Sequence, residues 1–149
     1  MVFEEIRSLL FSRRREGLHG IGSSDDLIAE AERELNIQFP ASYRGFLQEF
    51  GWGYFGHLEV ICIPEEWSPG INLLKVVPSE RKGLFAIPDS LLPFCQNGAG
   101  DWYAINCIAA DDKYACVLFL SHESIVDDGL QAEVVASDFA DWAYHELAN

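Results

Sequence analysis

Residues 92–107 constrain the fold of this chain most strongly, because two apolar runs there flank a turn of small residues. Asn97 and Gly98 stand near the centre of that turn, and an Asn-Gly pair favours the positive φ angles of a tight chain reversal. Gly100 adds a second permissive position, which leaves Asp101 at the start of the returning run. The sequence therefore predicts a β-hairpin with its corner at this turn.

Helical spacing of apolar residues dominates the first 50 residues. Residues 3–15 follow this spacing and end in three arginines, which suit the negative C-terminal end of a helix dipole. Ser23 or Ser24 can cap a second helix, and Asn36 can end that helix in a left-handed conformation. Two helices are therefore expected before residue 37.

A third helix is the best specified in the sequence. Pro40 suits its first turn, and Gly51 suits its end. Its apolar residues recur at i, i+3, i+4 and i+7, and they are Tyr43, Phe46, Leu47 and Phe50. This spacing predicts a single face that packs against the rest of the molecule.

Short apolar runs bounded by glycine and proline follow residue 57. They predict strands over residues 58–63, 71–77 and 114–120, with a charged break at residues 79–83. Residues 84–87 fit either a short strand or a helical turn. Ser137 is expected to cap a last helix whose apolar face comprises Phe139, Trp142, Ala143 and Leu147. This order predicts a single α+β domain with N-terminal helices, a mostly antiparallel meander sheet and a C-terminal helix.

The segment 51–56 matches the G-x-G-x-x-G pattern of dinucleotide-binding loops letter for letter. That pattern requires a strand before it and a helix after it, whereas here a helix precedes it and a strand follows. Its glycines alternate with Trp52, Tyr54 and Phe55, whose rings would crowd a pyrophosphate. These aromatic residues fit either a lid over the core or a contact surface for a partner, and the lid is favoured.

Acidic residues dominate the charge of the chain. The formal net charge is −14, and after residue 82 eleven acidic residues stand against one lysine, a balance of −10. This field repels nucleic acid and anionic membranes and attracts a basic partner. The charged N-terminus does not resemble a signal peptide, and four cysteines without close pairing are typical of a reducing compartment, so a cytoplasmic protein is expected.

Candidate catalytic groups are few. The Asp111-Asp112 pair is best explained as solvated turn residues, although paired carboxylates could bind a metal. Asp101 is expected to accept backbone N–H groups of its own turn, and a hydrolase reading would require it to meet His122 in a cleft. We therefore predict no catalytic residue, no metal and no cofactor.

Four segments in one order resemble the SUKH superfamily, which includes yeast cell-wall assembly regulators and bacterial immunity proteins. Residues 35–47 resemble its helix, proline, Tyr and Phe-Leu signature, although Asn36 replaces the usual glycine and Phe39 a common leucine. Residues 92–103 resemble its Asn-Gly-x-Gly-Asp turn. Residues 117–123 and 139–142 resemble the strand and the closing helix that follow.

The resemblance implies a non-enzymatic binding module over the whole chain, 1–149. Residues 24–147 would form the family core, and residues 1–22 a peripheral helix and loop. Its motif residues would serve as scaffold, and they are Pro40, Tyr43, Phe46, Leu47, Asn97, Gly98, Gly100 and Asp101.

The leading hypothesis is an immunity-type protein that blocks a basic toxin domain, expected to be a nuclease, by direct contact. Its candidate contact residues are Trp52, Tyr54, Phe55, Trp102, Asp111 and Asp112. The alternative is a regulatory adaptor of the cell-wall assembly type, which would have no toxin partner.

Overall fold

The computed structural model describes residues 2–64, 71–83, 86–108, 111–122 and 132–148. Predictions for residues 84 and 85 lie outside this part of the chain, and so do the acidic turn around residue 128 and the loop before residue 71. No helix in the described residues is long and apolar enough to cross a bilayer.

Within the described residues, five helices and six strands form one α+β domain. The helices are α1 (Phe3–Arg13), α2 (Asp25–Leu35), α3 (Ala41–Glu49), α4 (Leu73–Lys82) and α5 (Phe139–Glu146). The strands are β1 (Gly53–Phe55), β2 (Leu58–Val60), β3 (Leu91–Gln96), β4 (Trp102–Asn106), β5 (Val117–Leu120) and β6 (Ala132–Ala136). A short 3-10 helix spans Asp112–Tyr114, so the predicted third apolar strand begins later than expected.

The strands form one antiparallel sheet in the order β1-β2-β3-β4-β5-β6. This meander confirms the predicted topology. The predicted hairpin joins β3 and β4, and Gly98 and Gly100 at its corner adopt φ angles of 80° and 95°. β6 forms one edge of the sheet, and its Val134 is 61% exposed.

The predicted strand over residues 71–77 is wrong, because this part of the chain forms α4. Asn72 caps the helix by accepting a hydrogen bond from the Lys75 backbone N–H at 3.2 Å. Leu73, Val76 and Val77 occupy i, i+3 and i+4 and are buried in the core. The helix runs through Pro78 to the charged residues that were expected to form a break.

Tertiary contacts explain why α4 tolerates an internal proline that costs about 3 kcal/mol in an isolated helix. Each buried aliphatic side chain contributes about 1.5–3 kcal/mol in return. Arg81 adds two hydrogen bonds, because its Nη2 donates to the backbone oxygens of Leu35 and Asp89 at 3.0 Å. The helix is therefore stabilised by its packing rather than by its own propensity.

The core lies between the helices and one face of the sheet, and α3 stands at its centre. The four apolar residues predicted to form one face, from Tyr43 to Phe50, are all fully buried. The Tyr43 ring packs edge-on against Phe139 of α5 at 5.3 Å and lies 5.7 Å from Phe94 of β3. Helix α3 thus connects the closing helix to the hairpin.

Helix ends follow the sequence closely, with one correction. Ser24 caps α2 by accepting from the Leu27 N–H, and Asn36 ends it with a φ of 54°. The predicted cap of α5 at Ser137 is wrong by one residue, because Asp138 accepts the N–H of Asp141 at 2.8 Å. The Ser137 hydroxyl instead donates to the Asp141 carboxylate.

Helix α1 contributes directly to this core. Phe3, Ile6 and Leu10 are at most 5% exposed, and the Phe3 ring packs edge-on against Phe46 and Phe50 of α3. The family resemblance implied a position outside the family core for this helix. Its packing shows that it shares the core of the other elements.

Candidate partner-binding groove

A strap formed by residues 15–20 lies along the outer edge of β1. The Arg15 N–H donates to the Tyr54 carbonyl, the Tyr54 N–H to the Leu18 carbonyl, and the Gly20 N–H to the Trp52 carbonyl, each at 2.9 Å. These bonds satisfy backbone groups that an edge strand would otherwise expose. The strap thereby holds Leu18 close to the aromatic segment that begins β1.

Gly20 is required for this pairing because of the space around it. A Cβ atom at this position would stand 2.4 Å from the Phe50 carbonyl oxygen and 2.6 Å from Cδ1 of Trp52. Both distances are far below a van der Waals contact. The missing side chain therefore lets the strap approach the Trp52 indole closely.

A row of side chains crosses the sheet from β1 to β4 on one face. Tyr54 pairs with Glu59, Glu59 with Gln96, and Gln96 with Trp102. Directly opposed residues of antiparallel strands share a face of the sheet. The neighbouring residues Phe55 and Leu58 point to the other face and are buried in the core.

The strap and this row enclose a surface groove of about 370 Å³, which we call the Trp52 groove. Its described lining residues are Leu18, Trp52, Tyr54, Glu59, Val60, Cys62, Ile71 and Gln96. Ile71 stands at the start of the α4 segment and is 45% exposed. The groove is thus built from four separate parts of the chain.

Glu59 provides the negative charge of the Trp52 groove. Its carboxylate accepts a hydrogen bond from Nε2 of Gln96. Partial burial raises the pKa of the Tyr54 hydroxyl, and a hydrogen bond with Glu59 raises it further. Two neutral donors therefore orient the Glu59 carboxylate without neutralising it.

Trp52 brings an indole N–H that is not satisfied within the described part of the chain. Its Nε1 is buried and has no hydrogen-bond partner there. The Tyr54 ring already contacts a cation of this chain, since the Arg15 guanidinium lies 5.8 Å from its centroid. The groove therefore combines two aromatic side chains with one carboxylate.

The six predicted contact residues do not form one cluster. Trp52 and Tyr54 line the groove, whereas Phe55 is only 3% exposed and belongs to the core. Trp102 is buried in the row beside Gln96. Asp111 is exposed, and its Oδ1 accepts the Lys113 N–H at the start of the 3-10 helix that Asp112 begins.

Sequence reasoning missed Glu59, Gln96 and the strap. Glu59 did carry a signal, since it is the one acidic residue within the apolar run 58–63 and alternates with buried neighbours. Gln96 ends the first run of the hairpin. Nothing in the sequence pattern indicates that residues 15–20 pair with β1.

A second, more open cavity of about 530 Å³ lies between α2 and α3. It contains Glu32 and Arg44, which form an ion pair at 2.7 Å. Glu32 also accepts the Phe39 N–H at 2.8 Å. Because these charged groups already bind each other and the backbone, we assign them to the stability of the α2–α3 packing.

The hairpin corner is held by Asn97 rather than by Asp101. The Asn97 Oδ1 accepts the N–H groups of Ala99 and Asp101, at 2.9 Å and 3.3 Å. Asp101 was expected to accept N–H groups of its own turn, and this expectation is corrected. Its Oδ1 accepts the backbone N–H of His122 at 3.0 Å, and its Oδ2 accepts from Asn97 Nδ2. Asp101 thus joins the hairpin to the end of β5.

Asp101 also meets the imidazole of His122, with 2.6 Å between Oδ1 and Nδ1. Burial raises the pKa of the Asp101 carboxyl, but the hydrogen bonds from Asn97 and His122 outweigh it and leave this pKa below its ordinary value. The carboxylate is therefore ionised near neutral pH. The two side chains are therefore as close as the hydrolase hypothesis requires, but neither residue lines the Trp52 groove.

Other chemistry finds little support in the described residues. No group of three or more histidine, cysteine or acidic side chains there is placed to hold a metal ion. Burial raises the pKa of the Cys107 thiol to about 12 and that of Cys95 well above its ordinary value. These two thiols are protonated near neutral pH and are poor nucleophiles.

Comparisons with known proteins agree with this fold. The model of a family described as SUKH_6, SMI1-KNR4 cell-wall, matches residues 25–142. A crystal structure of a protein from Pseudomonas syringae pv. tomato superimposes with a TM-score of 0.73 at 20% sequence identity. The superposition covers 97% of this chain and 98% of that one, and at this identity it shows a shared fold. No functionally curated protein matches the chain.

Proposed function

Because the chain belongs to the SUKH_6 family of SMI1-KNR4 cell-wall type, we propose that it is an immunity-type protein that neutralises a basic toxin domain by direct contact. Membership of this family supports an immunity-type or related regulatory role in general. The proposal adds the nature of the partner, and the formal charge of −14 is the observation that carries it.

Charge complementarity explains why an acidic protein suits this task. Toxin domains that act on nucleic acid hold a polyanion and so present basic surfaces. Opposite charge raises the association rate and disfavours wrong partners. The same net charge makes direct nucleic-acid binding by this chain unfavourable. We place the encounter in the cytoplasm.

The Trp52 groove is the proposed contact site. Trp52 and Tyr54 are partly exposed there, and aromatic residues are enriched among the side chains that dominate binding energy. Asp111, which is exposed on another part of the surface, would add long-range attraction. In this proposal the protein acts by occupying its partner's surface and performs no reaction.

Co-expression tests the proposal. Each toxin domain encoded beside the gene is expressed with the wild-type protein, and growth is expected to recover for the cognate toxin. A Trp52→Ala variant should bind that toxin about thirtyfold more weakly, which corresponds to a hot-spot loss of about 2 kcal/mol. Tyr144→Ala, at a side chain that is 39% exposed on α5, serves as the control and should leave affinity unchanged.

Failure to rescue growth from any toxin encoded at the locus contradicts the proposal. Equal effects of the Trp52 and Tyr144 substitutions would contradict the placement of the contact site. Both variants are first compared with wild type by circular dichroism, so that a loss of binding is not a loss of folding.

A regulatory adaptor is the second candidate, and the cell-wall description of the family model is the observation that favours it. An adaptor predicts housekeeping genes around this gene and no toxin gene. Isolation of a stable complex with a signalling or structural protein, combined with failure of all rescue experiments, would favour this candidate.

A further inference from the structure

We infer that the Trp52 groove binds the cationic side chain of an arginine or lysine supplied by the protein partner. This inference rests on the proposed function for the identity of the partner as a protein. It goes further by naming the chemical group that enters the groove and the residues that receive it.

The lining of the groove matches the two halves of such a side chain. Leu18 is 37% exposed and Ile71 is 45% exposed, so both present apolar surface to an aliphatic stem. Trp52 and Tyr54 add aromatic surface, and aromatic faces attract cations through their quadrupole. The Arg15 guanidinium already lies 5.8 Å from the Tyr54 ring, so Trp52 is the aromatic side chain of the lining with no described cation partner. Long basic side chains commonly bury their stems while the charged group finds a polar partner.

Glu59 is the group that selects a positive charge. Its carboxylate faces the groove from the centre of the cross-strand row and accepts from the neutral Gln96 amide. The described ion pairs of the chain do not include Glu59, in contrast to Glu32 of the second cavity. The Glu59 carboxylate is therefore available to a cation from outside.

Size argues for a side chain rather than a larger ligand. Pockets for small molecules and cofactors span about 300–1,000 Å³, and the Trp52 groove, at about 370 Å³, lies near the lower limit. The net charge of −14 further disfavours an anionic ligand such as a nucleotide. A guanidinium or ammonium group on a flexible stem fits both restrictions.

Capped tripeptides test this inference without any knowledge of the partner. The probes are acetyl-Gly-Arg-Gly-amide, its lysine analogue and its citrulline analogue, which keeps the shape of arginine but is neutral. Binding is followed by NMR through the indole Nε1–H signal of Trp52, which a Trp52→Phe variant identifies. We expect saturable shifts with the arginine and lysine peptides and none with the citrulline peptide.

A Glu59→Gln variant should weaken binding of the arginine peptide about tenfold, because it removes the charge but keeps the shape of the side chain. Glu133→Gln is the matched control, since it removes one charge from an exposed position on β6. Unchanged spectral dispersion shows that both variants are folded. The control should bind as wild type does.

Several results would overturn the inference. They are equal shifts with the citrulline peptide, no saturable shift with any peptide, or equal weakening by the two glutamate substitutions. The proposed function fails separately. If the arginine peptide binds saturably but the protein rescues growth from no toxin, the toxin partner is rejected and the binding role of the groove is retained. If the protein rescues growth, Glu59→Gln rescues equally well and no peptide binds, the binding role of the groove is rejected and the toxin partner is retained.

Discussion

At the scale of single residues, Asp101 joins two separate parts of the sheet through its side-chain hydrogen bonds. It receives hydrogen bonds from Asn97, from the His122 backbone and from the His122 imidazole. These bonds connect the corner of the β3-β4 hairpin to the end of β5. We therefore assign Asp101 to the stability of the sheet.

Replacement of Asp101 by alanine should lower the free energy of unfolding by about 1–3 kcal/mol, because it removes a charged acceptor and leaves its donors unpaired. Urea unfolding followed by circular dichroism measures this loss. Glu133→Gln, at an exposed position, should change stability by less than about 0.5 kcal/mol. An Asp101→Ala protein that unfolds like wild type but no longer binds its partner would show a contact role instead.

The lowered pKa of Asp101 also predicts how this contribution depends on pH. Because the folded-state pKa lies below the ordinary value, the ionised carboxylate stabilises the fold at every pH above about 4. The contribution is lost as the pH falls through the folded-state pKa. The stability difference between wild type and Asp101→Asn should therefore be constant near neutrality and shrink in acid. A difference that is independent of pH down to full protonation would contradict this explanation.

At the scale of elements, α4 depends on its cap. Asn72 is only 6% exposed and accepts the Lys75 N–H, so Asn72→Ala should cost about 1 kcal/mol or more. Asn72→Asp keeps the acceptor and should retain most of the stability. Thermal unfolding of the two variants compares them directly, and equal melting temperatures would show that the cap is unimportant.

Local chemistry was sufficient to predict some elements. The spacing of four apolar residues located α3, and the Asn97-Gly98 turn located the central hairpin. Asn36 located the end of α2, and its start was narrowed to Ser23 or Ser24, of which Ser24 is the cap. Each of these signals acts over a few residues, so no knowledge of the remaining chain is needed. The closing helix was found for the same reason, with its cap misplaced by one residue.

Other elements depend on distant contacts and were missed. α4 contains valines and Pro78, which disfavour a helix locally, and it is stabilised by packing and by the contacts of Arg81. The Trp52 groove requires the strap, β1, β2 and the end of β3 to come together. The sequence favoured a lid over the core for Trp52, Tyr54 and Phe55 together, but it could not show that only Phe55 of the three is buried, and it did not indicate Glu59.

At the scale of the whole molecule, the formal net charge determines how the protein is expected to associate with a partner. A net charge of −14 predicts association with a basic partner that weakens as salt is added. Most of this weakening should appear in the association rate, because long-range attraction acts before contact. Surface plasmon resonance across a series of salt concentrations measures both rates. A rate of association that does not change with salt would contradict electrostatic steering.

We propose that this protein acts by occupying its partner and not by catalysis, although Asp101 and His122 form a close pair. The most direct test titrates the purified cognate toxin with the protein and measures the remaining toxin activity. We predict a linear fall that ends at equimolar protein, with activity recovered when the complex is separated. Complete inactivation by a small fraction of an equivalent would show catalysis and contradict the claim, and so would full toxin activity in the presence of excess protein.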